Sequence, residues 1–249
     1  GWGVIAAARS AERLEAAVAE LPGEGHEALV LDVADEAGWK RATEAIDAGG
    51  SLDGLVAAAG VLGPIGPLGE WEPAEFRETI EINLGGTLLA LYHCLPRLEQ
   101  SDGAAVTFSG GGGTSPLARF DAYAASKAAV VRLTENVAAE GARVNCVAPG
   151  FIATDIHEAT LAAGPEAVGR DYYERTREEL ERGGANLENV CELVAFLLSP
   201  EASGIRGKLI AAQWDPWREP EFQQRLATEP DLATLRRIDD FAFRTVERD

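Results

Sequence analysis

Two residues in this chain combine type and spacing in a way that can do chemistry: Tyr123 and Lys127, four positions apart. In a helix both side chains leave the same face, one turn apart. The neighbours predict such a helix, with five alanines between positions 122 and 129 and neither Gly nor Pro. An ammonium beside a phenol favours the phenolate, lowering a pKa ordinarily near ~10 toward the range of an acid/base catalyst. Lysine is scarce, with three (Lys40, Lys127, Lys208) against nineteen arginines. Where Arg is the default cation, a Lys marks a need for a compact point charge. The alternative is a surface helix whose Tyr and Lys are neighbours by chance, and the spacing alone does not decide.

The surrounding pattern supplies elements to position these groups. Short apolar runs at 3–8, 27–31, 52–59, 104–109, 143–147 and 208–212 read as buried parallel strands. Between them, helical periodicity predicts helices at 11–21, 36–48, 73–98, 123–139 and 187–198. Gly85-Gly86 within the long third helix either allows close approach of another helix or merely weakens this one locally. Strands alternating with helices define an α/β fold with a doubly wound parallel sheet. Ligands of such sheets bind beyond the carboxyl ends of the strands. Arg9, Asp32, Gly60, Ser109 and Pro149 all fall at such ends.

Composition narrows the function classes. A chain of 249 residues can form one large α/β domain. Its formal charge of -19 argues against nucleic acid and against anionic membrane surfaces as partners. Three cysteines (Cys94, Cys146, Cys191) and three scattered histidines show no metal-ligand spacing, so no metal site is expected. No signal peptide or membrane-length apolar stretch is visible, and the cytoplasm is the default expectation. There is no Met, and the chain opens inside a motif, which is expected of a fragment of a longer protein.

Five ordered motifs carry a family resemblance over roughly residues 1–210. Tyr123-Ala124-Ala125-Ser126-Lys127-Ala128-Ala129-Val130 resembles the active-site segment of the short-chain dehydrogenase/reductase family. Leu55 to Gly60 sits where that family has a strand ending in Asn-Asn-Ala-Gly, and Ile82 to Thr87 resembles its catalytic-Asn helix. Val106 to Ser109 resembles the strand carrying the catalytic Ser, and Val144 to Gly150 the strand and Pro-Gly turn near the nicotinamide. The family's opening strand and glycine-rich turn, which cradle the cofactor phosphates, have no counterpart in this chain. The resemblance therefore implies a Rossmann-like doubly wound sheet lacking its first strand, with a weakened cofactor seat.

The resemblance also implies roles. Tyr123 exchanges a proton with a small-molecule alcohol or carbonyl substrate, Lys127 lowers its pKa and contacts the nicotinamide ribose, Asn83 holds a relay water, and a Ser polarises the substrate oxygen. The family's Ser lies thirteen residues before the Tyr, where this chain has Gly110; Ser109 lies fourteen before. Either Ser109 reaches the site through the flexible run 109–115, or glycine N–H groups there polarise the carbonyl. Ala57 and Ala58 replace the family's two Asn. The expected cofactor contacts are Arg9, Asp32, Val33, Ala59, Gly60, Pro149, Gly150 and Thr154, with Tyr123 and Lys127. Ala8 followed by Arg9, a cation without a carboxylate, favours NADP over NAD.

In domain terms the resemblance implies a Rossmann-like unit over 1–212, with a substrate lid at 155–185, and an extension at 213–249 packed on the same domain. Within the lid, Asp171 to Arg175 either meets a polar substrate or forms a solvated helix face. Trp214 and Trp217 in the extension could wall a pocket or pack against a subunit, with core packing the favoured expectation. The expected activity is NADP(H)- or NAD(H)-dependent interconversion of an alcohol and a carbonyl. Alternatives are a weakly active or non-catalytic cofactor-binding homologue, and an epimerase or dehydratase using the same pair. Relatives pair the helices around Leu84–Leu98 and Ala128–Val137 across a two-fold axis. Leu84, Leu88, Leu89, Leu91, Tyr92, Leu95, Val130, Val131, Leu133 and Val137 are therefore expected to form a homodimer or homotetramer interface.

Overall fold

The computed structural model describes residues 1–237 of the chain. Strands β1 (Ile5–Ala8) and β2 (Glu27–Val30) flank helix α1 (Ala11–Ala19) and pair in parallel. Helix α2 (Glu36–Gly49) leads to a second sheet of β3 (Gly54–Ala57), β4 (Ala104–Phe108), β5 (Val144–Ala148) and β6 (Leu209–Ala211). These four are all parallel and lie in that order. The remaining helices are α3 (Pro73–Ile80), α4 (Gly86–Ser101), α5 (Asp121–Ala139), α6 (Ile156–Val168), α7 (Arg170–Glu181), α8 (Leu187–Leu198) and α9 (Pro220–Thr228).

Strand periodicity sorts the core into two layers. On β4, Ala105 packs toward α4, and Thr107 bonds the Thr134 hydroxyl of α5 at 2.7 Å. Val106 between them faces the opposite way, joining Leu193 and Leu197 of α8, Ile210 of β6 and Leu226 of α9. Alternate residues thus bury on alternate faces, as expected for a parallel sheet covered on both sides. Cys94 and Cys146 are buried and Cys191 is exposed, all as free thiols.

The α/β architecture matches the sequence expectation, and the sheet has a gap. Among the described residues no strand lies between β1 and β3, and the two sheets share no ladder. A cleft of about 860 Å³ separates them, lined by Ile5 and Ala7 on one side and Leu55 and Val56 on the other.

Four expectations need correction. The single helix expected over 73–98 is two helices joined by a π-helical turn, Glu81–Gly85, and continues to Ser101. The wider turn re-aims Asn83 inward, a geometry often met at functional sites. Gly86, at its end, meets not a helix but Val33, whose Cγ2 would lie 2.6 Å from a β-carbon there. Trp217 is buried with Leu226 as expected, but Trp214 is 73% exposed beside the Gly150 turn. Of the expected interface residues, Leu91, Val130 and Val131 are spent on the core, each 1% exposed. The exposed remainder is Leu88 at 49% and Tyr92 at 71%, one turn apart on α4. Residues 238–249 of the C-terminal extension lie outside the described residues.

Candidate active site

Helix α5 starts beneath the carboxyl ends of β4 and β5 and carries Tyr123 and Lys127 on one face. Lys127 is 5% exposed, and its Nζ donates to the Phe108 carbonyl at the end of β4 at 3.1 Å. The same ammonium stands 5.7 Å from the centroid of the Tyr123 ring. Among the described residues Lys127 pairs with no carboxylate, so its charge is directed at the phenol and at the backbone. Burial lowers the Lys127 pKa.

The expected depression of the Tyr123 pKa does not occur in this geometry. Burial pushes the phenol up to about 12, and the nearby Tyr172 adds to the rise. Taking a phenolate out of water costs more here than the ammonium repays across the ring. At neutral pH Tyr123 is therefore a protonated donor facing the site.

Asn83, fully buried on the π-helical turn, clamps the loop after β3 as a strand partner would. Its Oδ1 accepts from the Val61 N–H at 2.8 Å, and its Nδ2 donates to the Val61 carbonyl and to the Ser126 hydroxyl, both at 2.9 Å. Ser126 in turn donates to the Tyr123 carbonyl at 2.7 Å. Both Nδ2 hydrogens are used, so the side chain acts as a strut between this loop and α5. Ser126 lay unassigned within the Tyr-to-Lys motif; its place one turn after Tyr123 was the available signal.

The glycine run explains the displaced serine. A β-carbon on Gly110 would lie 2.3 Å from the Tyr123 Oη, and one on Gly113 would lie 2.2 Å from the Ser109 Oγ. Position 110 therefore has no room for a serine with Tyr123 as placed. Ser109 is 4% exposed, its N–H bonds the Val147 carbonyl at 2.9 Å, and its Oγ is tucked under Gly113.

The cofactor candidates divide into two groups. Arg9, Asp32, Val33, Ala59 and Gly60 line the cleft beside β1 and β3. Gly60 forms its floor next to the pair: a β-carbon there would meet Asn83 Oδ1 at 3.2 Å and Lys127 Nζ at 3.4 Å. The bare backbone leaves that space open for a flat ligand above the ammonium. Asp32 accepts from the Ala34 N–H at 3.0 Å through one oxygen, and Arg9 is exposed. Pro149 and Gly150 follow β5 outside this cleft, tied down by Gln213, whose Nε2 donates to the Pro149 carbonyl at 3.1 Å. Thr154 is exposed, its Oγ1 3.4 Å from the Ile152 carbonyl. This donor set fits a dinucleotide: an acid and a cation at the far strand ends, and open backbone beside a buried Lys.

Residues of helices α6 and α7 pack at the start of α5. Tyr172 of α7 packs on Phe120, ring centroids 4.9 Å apart, and shares an apolar cluster with Tyr123, Leu62 and Val168.

Residues 1–213 match the family model described as "Enoyl-(Acyl carrier protein) reductase". The chain is 38% identical over 195 residues to cis-4-hydroxycyclohexanecarboxylate dehydrogenase of Sinomonas cyclohexanicum, covering 75% of this chain and 76% of that protein. It is 32% identical over 212 residues to levodione reductase of Leifsonia aquatica, covering 81% and 79%. A crystal structure of levodione reductase superposes with a TM-score of 0.73 at 29% identity, covering 85% of this chain and 86% of that one. The chain belongs to the short-chain dehydrogenase/reductase family. It is an alcohol/carbonyl oxidoreductase of that family, whose members bind NAD(P)(H).

Proposed function

We propose that this protein reduces a small-molecule carbonyl compound to an alcohol, reversibly, with NADP(H) as the favoured nicotinamide. The observation that carries this reading is the half-buried Tyr123 whose ring centroid lies 5.7 Å from the Lys127 ammonium, with the Gly60 backbone open beside that ammonium. When bound, the reduced nicotinamide supplies a hydride to the carbonyl carbon. Tyr123 delivers its proton to the carbonyl oxygen, completing the alcohol. The phenolate that develops lies close to the ammonium, so the interaction strengthens as the transition state is approached, which is where it accelerates the reaction. Asn83 and Ser126 hold Tyr123 and the loop after β3 in register. Gly60, Ala59, Pro149, Gly150 and Thr154 would flank the nicotinamide half, and Asp32 and Val33 the adenine.

Arg9 favours NADP, as an exposed cation that directly follows Ala8 at the end of β1, a position that carries no carboxylate of its own. The names of the relatives, a hydroxy-acid dehydrogenase and a ketone reductase, support the same reaction class. Leu88 and Tyr92 on α4 are proposed to pair with a second copy of the chain. The test is the rate of NADPH and NADH consumption with a panel of ketones and oxo acids. Consumption with at least one carbonyl, faster with NADPH, is expected; no consumption with any overturns the reading.

A further inference from the structure

Helix α7 brings Tyr172 into the apolar cluster around Tyr123, and Arg175 onto the Tyr172 ring, two groups that the reaction so far leaves unused. Arg119 fixes the position of that helix: its guanidinium donates to the carbonyls of Glu166 and, at 3.0 Å, Ala167, at the end of α6. Arg119 also accepts the Gly66 N–H at 2.9 Å and holds a left-handed backbone at φ 72. A non-glycine residue in that region is strained, a cost kept where the surroundings over-determine the position. The strained residue stands one position before Phe120 and four before Tyr123, so the lid and the acid share an anchor.

Beyond that anchor, the Tyr172 ring lies on Phe120, and the Arg175 guanidinium lies over the Tyr172 ring at 4.9 Å. Among the described residues the hydroxyls of Tyr172 and Tyr123 have no hydrogen-bond partner, and Arg175 pairs with no carboxylate. Its neighbours do: Arg177 bonds Glu174 at 2.8 Å, and Arg182 reaches Glu178 and Glu179. In a chain of charge -19, an exposed cation left without an acid yet stacked on a phenol that shares a cluster with Tyr123 is a distinctive feature. Stacking fixes the guanidinium plane and leaves its N–H edge for a carboxylate.

We propose that Tyr172 and Arg175 form the specificity end of the site, and that the substrate is an oxo acid, or the matching hydroxy acid, whose carboxylate meets Arg175 and the Tyr172 hydroxyl while its carbonyl oxygen meets Tyr123. This deepens the carbonyl-reductase reading and rests on it. An uncharged ketone would meet Tyr123 without that second anchor. The distance from Tyr123 to Arg175 then selects the spacing between the two functions of the acid.

The test compares a series of oxo acids, 2-oxopentanoate, 4-oxopentanoate and 5-oxohexanoate, each with its methyl ester, by turnover and by the shift each produces in melting temperature. The wild type is expected to prefer one acid over its ester. Arg175→Gln should raise KM for that acid by about tenfold, the loss of one charge-assisted contact, and leave the ester within about twofold. Tyr172→Phe keeps the ring and should lower the same preference. Arg177→Gln, which breaks only a surface ion pair, should change neither. Esters turned over as well as acids, or an acid preference that survives Arg175→Gln, overturns the specificity proposal while leaving carbonyl reduction intact. If no carbonyl is turned over, the reductase reading fails; stabilisation by acids but not esters, lost in Arg175→Gln, would still support the anchor, and its absence would overturn it.

Discussion

The backbone of Gly110 passes so close under Tyr123 that a β-carbon there would stand 2.3 Å from the phenol oxygen. The glycine lies thirteen residues before Tyr123, where the family resemblance implies a serine, and Ser109 stands one position earlier. Gly110→Ala should keep the fold, since the obstacle is one side-chain end, but should push the hydroxyl out of line. A displacement of about 1 Å can cost ~10²-fold in rate, and a loss of that order in kcat with an unchanged melting temperature is expected. Gly110→Ser should do no better. Improved turnover in Gly110→Ser would show that the loop, not the phenol, yields.

The Tyr123 phenol, pushed up to about 12 by burial, sets a pH signature. Reduction needs the protonated form, so its kcat should stay flat from neutral pH to the alkaline limit of the fold, while alcohol oxidation should rise with pH. Stability follows the same shift. The folded phenol holds its proton above the ordinary value near 10, so this contribution is complete below pH 10 and is lost as pH rises toward 12. The melting temperature should fall over that window and fall less in Tyr123→Phe, which has no proton to lose.

Asn83→Ala removes three bonds at once and leaves the Val61 N–H and carbonyl without their partner. Each buried polar group so orphaned costs roughly 1–3 kcal/mol. A clear drop in denaturation midpoint and a fall in turnover are expected together. Ser126→Ala, which cuts only the link to α5, should reduce turnover with a smaller effect on stability.

Leu88 and Tyr92, one turn apart and exposed on α4, carry the proposed contact between copies. Leu88→Glu with Tyr92→Glu should shift sedimentation to a monomer. An oligomer that persists would place the contact elsewhere.

Much of this arrangement was legible because it is periodic or local. Short apolar runs located the six strands seen among the described residues, and alanine-rich spacing located α5 with Tyr123 and Lys127 on one face. What stayed hidden depends on distances between segments remote in sequence. The π-helical turn at Glu81–Gly85 exists because Asn83 is drawn to Val61 and Ser126, and no local propensity encodes that pull. Tyr172 was visible as part of a charged aromatic run, but only the path of α6 and α7 brings it onto Phe120. The Tyr123 pKa was expected to fall because the spacing brings in a lysine. It rises because burial, which spacing does not reveal, outweighs a charge 5.7 Å from the ring.

The central claim is that Tyr123 donates the proton that completes carbonyl reduction. It is tested most directly by NADPH consumption with a carbonyl that the wild type reduces, measured for Tyr123→Phe alongside its melting temperature. Loss of general acid catalysis is ordinarily worth ~10²–10⁴-fold. The account predicts a fall in that range or beyond, with the fold as stable as before below pH 10. Turnover within a few-fold of wild type would contradict it.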